Sequence, residues 1–190
     1  TYLLEIDPYR GFRRVENFLN TGHFGTVRIN NQEYDNLMSA PWGDKIEPLK
    51  LHFYIGVYFY KLLHFINNKL SLMNALSLLP VFLSAVMVIS IFIISILLGI
   101  SYLGSFIASL VIGLSPLMLI RSGFGWFDTD IYNIFLPLFI TSAMAYSFKG
   151  EGLKYRFFLI LSGLLIGIYS AIWSIWWYIL YILFASIFLY

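Results

Sequence analysis

The sequence contains no cysteine, so a disulfide framework is excluded. Charged residues are also scarce, at 12% of the chain, which is about half of their share in an ordinary soluble domain. The basic residues form no run suited to a nucleic acid, so we expect no nucleic-acid partner. Hydrophobic residues instead make up 59% of the chain. A chain of this composition must hide most of its surface from water, and a lipid bilayer would do that.

Charge is missing altogether from three long stretches. Lys69 and Arg121 are separated by 51 uncharged residues, and residues 131–148 and 157–190 carry no charge either. One membrane-spanning helix needs about 20 apolar residues, so the first and last stretches each fit two spans and the middle stretch fits one. The sequence therefore predicts an all-α membrane protein. We expect a polytopic transmembrane helix bundle of about five spans with a large N-terminal external loop.

The chain divides into a polar and an apolar region. Residues 1–69 hold eight of the 12 basic and seven of the 10 acidic residues, together with turn formers such as Asn30-Asn31, and are predicted to form the first external loop. Residues 70–190 are predicted to form the bundle, with a break near residues 170–174 because one helix across the last stretch would be too long for a bilayer. The predicted spans are residues 75–98, 102–120, 131–148, 157–171 and 175–190.

The apolar segment of residues 51–66 is predicted to be an interfacial helix. As a helix it would be about 24 Å long, short of the roughly 30 Å hydrocarbon core. We therefore expect it to lie on the membrane surface with its aromatic face toward the lipid. The alternative, that this segment spans the bilayer, would place Asp7 and Asp128 on opposite faces of the membrane.

The distribution of basic residues predicts the orientation of the chain. The short loop of residues 149–156 carries three basic residues against one acidic residue, and short basic loops remain cytoplasmic. The loop of residues 121–130 should then lie on the outer face. Two crossings separate that loop from the N-terminal region, so residues 1–69 should share the outer face with it.

Two acids stand two residues apart where the outer loop enters a predicted helix. Asp128 and Asp130 can converge only if Asp128 lies in the loop or at the N-cap, because side chains at i and i+2 diverge on a helix. Converging carboxylates are good oxygen ligands for Mg²⁺ or Mn²⁺. In a simpler interpretation, Asp128 caps the helix and Asp130 interacts with the helix dipole. The pair alone does not decide between these interpretations.

A third acid, Asp7, lies in the polar region within Glu5-Ile-Asp-Pro-Tyr-Arg10. Asp-Pro often begins a turn, so an exposed turn is one interpretation of this segment. Arg121 opens the outer loop. It could contact a lipid phosphate or hold a carboxylate through a bidentate pair, or it could be an interfacial arginine whose head group reaches the lipid head groups.

These motifs together resemble one membrane enzyme family. Asp7-Pro-Tyr-Arg, with Arg13-Arg-Val-Glu16 and Gly22, resembles the first external loop of oligosaccharyltransferase catalytic subunits. Arg121-Ser-Gly-Phe-Gly-Trp-Phe-Asp-Thr-Asp130 resembles their second metal-binding motif, in the form found in archaeal and bacterial members. The aromatic segment of residues 170–178 is similar to a break between two later spans of the family.

The resemblance implies transfer of an oligosaccharide from a polyprenyl, dolichyl-type phosphate or diphosphate carrier to asparagine in Asn-x-Ser/Thr. It implies that Asp7, Asp128 and Asp130 bind Mn²⁺ or Mg²⁺, and that Asp7 also acts as the catalytic contact to the acceptor amide. Arg121 is a candidate substrate-binding residue. The implied partners are the lipid-linked oligosaccharide, the acceptor polypeptide and membrane lipid. The implied location is the cell membrane, with a multi-pass chain and the active site on the external face.

Departures from the family pattern set limits on this interpretation. A first span before Asp7, a later loop with a glutamate ligand and a soluble sequon-reading domain belong to the family but not to this sequence. We therefore expect an excised N-terminal piece that is inactive alone. The alternatives are another polyprenyl-phosphate-sugar transferase, such as a protein O-mannosyltransferase, and a transporter or structural membrane subunit without catalytic activity.

Overall fold

The computed structural model describes residues 2–39, 41–47 and 49–189, and these residues are mostly helical, as the sequence predicts. A small sheet lies between the first two helices. In chain order the elements are α1 (Ile6–Thr21), β1 (Val27–Ile29), β2 (Gln32–Asp35), β3 (Asp44–Lys45), α2 (Leu51–Ile66), α3 (Leu72–Leu97), α4 (Tyr102–Gly113), α5 (Pro116–Arg121), α6 (Asp130–Ser147), α7 (Leu153–Ser170) and α8 (Tyr178–Leu189).

The described residues form two compact units. The first unit comprises the chain up to Val81 together with the later segment Gly123–Asp128. The second unit comprises Phe82–Ser122 and the residues from Thr129 onward. The short segment before α6 therefore packs with a part of the chain that precedes it by many residues, and this placement is important for the candidate site.

The three-stranded antiparallel sheet, in the order β1-β2-β3, corrects the prediction of a purely helical chain. Asn30 and Asn31 join β1 to β2 as a two-residue turn, and both have positive φ angles, 49° and 65°. Asparagine tolerates the left-handed region, and a turn with two such residues matches the twist of the flanking strands. The turn was readable from the sequence, but the strands were not, because Gln32–Asp35 shows no apolar alternation.

Helix α2 has the bounds that the sequence predicts for it, Leu51–Ile66. One of its faces is buried at His52, Gly56 and Val57, while its C-terminal half exposes Phe65 and other apolar side chains. A buried face toward protein and an exposed apolar face are compatible with the predicted interfacial position. That position remains a prediction.

Two of the helices described here, α3 and α7, are long and apolar enough to cross a membrane, and α4 and α8 are shorter apolar helices. The predicted span over residues 102–120 is not one helix. It divides into α4 and α5 at Leu114, because Ser115 caps a new helix by accepting a hydrogen bond from the Met118 N–H at 3.3 Å. Pro116 occupies the first helical position, where its missing N–H costs nothing.

The second unit has two distinct ends. The carbonyl of Leu98, just after α3, accepts a hydrogen bond from the Lys149 ammonium in the loop between α6 and α7. The basic loop and the connection between α3 and α4 therefore lie at the same end of this unit. At the other end of α6, whose 18 residues extend over about 27 Å, Asp130 begins the helix.

Candidate functional site

The segment Gly123–Asp128 is held in the first unit by backbone hydrogen bonds. Gly125 accepts from the Leu4 N–H at 3.2 Å and donates to the Ser77 carbonyl at 3.1 Å. Its φ angle is +92°, and a Cβ at this position would approach the Tyr2 carbonyl oxygen to 3.1 Å. Glycine is therefore required here on two grounds, the left-handed backbone and the close neighbouring chain.

Phe127 anchors the same segment between the helices of the first unit. Its ring is 1% exposed and stacks on His52 with centroids 4.4 Å apart. A Cβ added at Gly56 of α2 would lie 2.8 Å from the ring, and one at Gly11 of α1 would lie 3.0 Å from it. The two glycines thus leave space for an aromatic side chain against both helices, and burying such a ring contributes about 3 kcal/mol.

Asp128 follows this anchor and lies in the loop. The N-cap position of α6 is Thr129, whose side chain makes no capping bond, and Asp128 lies one residue before it. The Asp128 N–H donates to the Trp126 carbonyl at 2.9 Å, which makes a tight turn just before the helix. Asp128 is half-buried and has further interactions. Its position in the loop is the one that convergence with a neighbouring acid requires.

Asp7 lies in the first turn of α1, where a carboxylate interacts favourably with the helix dipole. The interpretation of Asp7-Pro8 as an exposed turn is therefore wrong in its backbone, although the Asp7 side chain is exposed. Asp7 precedes Gly11 by one helical turn, so it lies on the part of α1 that Phe127 contacts. The acid also lines a surface groove of about 450 Å³ together with Arg10 and Arg13.

Asp130 and Arg121 form an ion pair in the second unit, with Nη1 and Oδ2 2.8 Å apart. Asp130 occupies the first turn of α6, while Arg121 ends α5. Both side chains are partly exposed, at 29% and 42%, so the pair itself adds little to stability. Its effect is to fix the direction of the Asp130 carboxylate. Of the roles open to Arg121, holding a carboxylate is the one that this contact shows.

The three predicted metal ligands are distributed over both units, Asp7 and Asp128 in the first and Asp130 in the second. Their carboxylate oxygens are the donor type that Mg²⁺ and Mn²⁺ prefer. Within the residues that the structure describes, however, no three His, Cys, Asp or Glu side chains are grouped so as to hold a metal ion. The three carboxylates are suitable ligands for a divalent cation. The described residues do not by themselves provide a complete set of ligands for one.

Buried charge in the first unit was not anticipated from the sequence. Asp35 is fully buried and pairs with Arg13, which links β2 to α1. Arg14 is 5% exposed, and its guanidinium lies 4.9 Å from the centroid of the Phe53 ring. Burial and the neighbouring Arg10 lower the pKa of Arg14, which still remains charged at neutral pH. The only sequence signal was three arginines within five residues, a pattern that equally fits a solvated helix face.

Comparison with known proteins identifies relatives along the whole chain. Residues 1–190 match the family described as "Oligosaccharyl transferase STT3, N-terminal". A "Dolichyl-phosphooligosaccharide-protein glycotransferase" of Methanococcus voltae is 31% identical over 197 residues, which cover 100% of this chain and 21% of that protein. A protein with the same description from Methanocaldococcus jannaschii is 28% identical over 146 residues, covering 73% of this chain and 15% of the relative.

No solved structure matches the chain. The chain spans about a fifth of the length of the first relative. The match to the family extends over both units, and it includes the loop with Asp128 and the helix with Asp7. The chain therefore belongs to the oligosaccharyl transferase STT3 family, of which it represents the N-terminal region.

Proposed function

We propose that the protein to which this chain belongs is a membrane glycosyltransferase for protein N-glycosylation. It would transfer an oligosaccharide from a dolichyl-type phosphate or diphosphate carrier to asparagine of Asn-x-Ser/Thr sequons. Family membership and the names of the two archaeal relatives support this reaction class. The substrates would be the lipid-linked oligosaccharide and the acceptor polypeptide.

The packing of the Asp128 segment against the helix that bears Asp7 is the structural observation that supports the proposal. The segment that bears Asp128 packs with the N-terminal unit, through Phe127, against the helix that bears Asp7. Two acids that are 121 positions apart in sequence thus belong to the same compact unit. A protein that used these acids only as local helix stabilisers would have no need for this long-range packing.

The acids have distinct proposed roles. Asp7 is exposed, and it would accept a hydrogen bond from the acceptor amide. Such a contact helps a poor nucleophile, because the amide nitrogen lone pair is delocalised into its carbonyl. Asp130 is oriented by Arg121, whose guanidinium would also offer donors to a lipid-borne phosphate.

We further propose that Asp7, Asp128 and Asp130 contribute ligands to a Mn²⁺ or Mg²⁺ ion in the whole protein. The support is their donor chemistry and the position of Asp128 in the loop. When bound, the cation would act as a Lewis acid toward the phosphate of the donor. Asp130 would have to serve the ion while remaining paired with Arg121, which a carboxylate with two oxygens can do.

The proposed setting is a multi-pass chain with its active site on the external face. Two helices long enough to span a bilayer support membrane insertion. The position of Asp130 and the basic loop at opposite ends of α6 supports the orientation predicted from the basic residues. Helix α2 would lie in the interface, with Phe65 and its apolar neighbours facing lipid.

The test is a transfer assay with the full-length protein, lipid-linked oligosaccharide and a peptide that contains Asn-x-Thr. Asp7→Asn and Asp128→Asn should each lower kcat at least ~100-fold, the usual loss when a group that stabilises charge in a transition state is removed. Glu5→Gln, an exposed acid beside α1, is the matched control and should keep full activity. Transfer to a peptide with serine and threonine but no asparagine would instead identify an O-glycosylating enzyme.

Metal binding needs a measurement of its own. Calorimetric titration of the full-length protein with Mn²⁺ should show weaker binding in Asp128→Asn and Asp130→Asn. Glu151→Gln, which alters an exposed acid in the basic loop, should leave the affinity unchanged. Full activity and unchanged Mn²⁺ affinity in Asp128→Asn would contradict the proposed site.

A further inference from the structure

The second unit contains an apolar groove between α3, α6 and α7, at the end that carries the basic loop. The groove has a volume of about 200 Å³, and most of the residues that line it are apolar. Ser142, Ala143 and Tyr146 of α6 form its buried floor, with Ile94 of α3 and Leu161 of α7 on its walls. An apolar cavity of this size suits a stretch of one hydrocarbon chain and is too small and too dry for a sugar.

Cationic side chains stand at the tyrosine end of the groove. The Lys154 ammonium lies 5.2 Å from the centroid of the Tyr146 ring, and the Lys149 ammonium lies 5.8 Å from it. Lys149 is fixed in place by its hydrogen bond to the Leu98 carbonyl. Both ammonium groups therefore lie beside the Tyr146 ring of the groove floor, so a chain lying in the groove would bring a terminal anion near them.

A second hollow, lined by both polar and apolar residues, adjoins this end. It has a volume of about 460 Å³ and is lined by Gly150, Glu151, Gly152 and Arg156 of the loop and the start of α7. Tyr155 lines the hollow and stacks on Tyr146 of the groove, with ring centroids 5.8 Å apart. The loop carries three basic residues against one acid, so its net charge is positive.

We propose that this groove and hollow bind an anionic membrane phospholipid, with one acyl chain in the groove and the phosphate between Lys149 and Lys154. The three features occur in the order that such a lipid requires: an apolar channel, a pair of ammonium groups and a hollow with room for the head group. A neutral lipid would fill the groove equally well but would gain nothing from the two lysines. The predicted cytoplasmic position of the loop places the site in the leaflet where anionic lipids interact with basic residues.

The experiment is native mass spectrometry of the full-length protein in detergent, titrated with phosphatidylglycerol or with phosphatidylcholine of identical acyl chains. Wild-type protein should bind phosphatidylglycerol at least ~10-fold more tightly. Lys149→Gln combined with Lys154→Gln should remove most of that preference, because each basic residue near an anionic lipid contributes about fivefold. The double variant Lys61→Gln/Lys69→Gln, which removes two exposed lysines of the first unit, is the matched control and should keep it.

A second variant tests the groove independently of the lysines. Ala143→Phe should fill it and weaken the binding of both lipids, whereas Ala185→Phe, on the exposed surface of α8, should not. Equal affinity of wild-type protein for the two lipids would overturn the proposal, and so would equal losses in the two lysine double variants. Displacement of phosphatidylglycerol by lower concentrations of polyprenyl phosphate would also overturn it, by identifying a different occupant. Glycan transfer is not part of the measurement, so its outcome is separate from that of the proposed function.

Discussion

The two units of the chain satisfy their polar side chains in different ways. In the first unit, polar contacts join separate elements: Arg13 of α1 pairs with Asp35 of β2, and Lys50 pairs with Glu33 at 2.8 Å. In the second unit, several serine and threonine hydroxyls bond back to a carbonyl of their own helix. Examples are Ser90 to Val86 at 2.7 Å, Ser109 to Ser105 at 2.8 Å, Thr141 to Pro137 at 2.8 Å and Ser186 to Ile182 at 2.7 Å.

The proposed membrane setting of the second unit would account for this difference. A hydroxyl that donates to a carbonyl of its own helix needs no hydrogen-bond partner from water or from another element. Such a bond suits a helix in the water-free core of a bilayer. Ion pairs between elements instead define which strand meets which helix. We therefore expect specific side-chain contacts to determine the stability of the first unit, and substitutions of single polar groups to have smaller effects in the second.

The largest effect should come from the aromatic anchor of the first unit. Phe127→Ala would leave a cavity between α1 and α2 and should lower the free energy of unfolding by about 4 kcal/mol. Phe124→Ala, in the same loop but 45% exposed, should cost much less. Thermal unfolding of the full-length protein in detergent would measure both. Equal shifts for the two variants would contradict the anchoring role.

The next effect concerns the ion pair between the buried Asp35 and the half-buried Arg13. Asp35→Asn would remove the charge from this contact and should cost about 3 kcal/mol, the upper end for a hydrogen bond to a charged group. Glu16→Gln, an exposed acid of α1, is the control and should shift the unfolding temperature little. An unchanged unfolding temperature in Asp35→Asn would contradict our inference that specific polar contacts determine the stability of the first unit.

Acid should destabilise the first unit through His52. Burial lowers the pKa of this histidine to about 3, whereas an unfolded histidine titrates near 6.5. Below pH 6.5 the unfolded chain binds a proton that the folded chain does not. The free energy of unfolding therefore decreases as the pH is lowered. The loss should reach about 2 kcal/mol by pH 5. His52→Phe, which keeps an aromatic ring against Phe127, should reduce this pH dependence, whereas His64→Phe should not.

The smallest effect is expected for a polar contact between helices of the second unit. The buried Tyr169 hydroxyl donates to the Asn133 side chain at 3.1 Å. Tyr169→Phe should cost about 1 kcal/mol, the net value of one such hydrogen bond. Tyr181→Phe, on an exposed part of α8, should cost nothing measurable. A loss as large as that of Asp35→Asn would show that the two units do not differ in the way we infer.

The comparison also shows which features the sequence reveals. Helix α2 was predictable to its end residues, because its apolar run is bounded by polar residues. The length of the last apolar stretch predicted that it must be broken, and α7 ends at Ser170, within the predicted break at residues 170–174. The division of the span at Ser115 was missed, although Ser-Pro is a helix-start signal, because apolar composition outweighed it.

Long-range placement is what the sequence did not reveal. The resemblance named Asp7 and Asp128, but no local pattern indicated that Phe127 would pack between two glycines of α1 and α2. The partner of Asp35 was equally hidden, because three arginines lie near one another and only the fold selects Arg13. The backbone of Asp7 was mispredicted because Asp-Pro fits the first turn of a helix as well as it fits a loop.

The Phe127 ring fits closely between Gly11 and Gly56, so the effect of a substitution at one of these three positions depends on the residues at the other two. A side chain added at either glycine would collide with the ring, and a smaller residue at 127 would open a void between two helices. Either change alone should destabilise the first unit, whereas the two together exchange volume at little cost. Related sequences should therefore vary at these positions in concert, with a larger residue at 11 or 56 accompanied by a smaller one at 127.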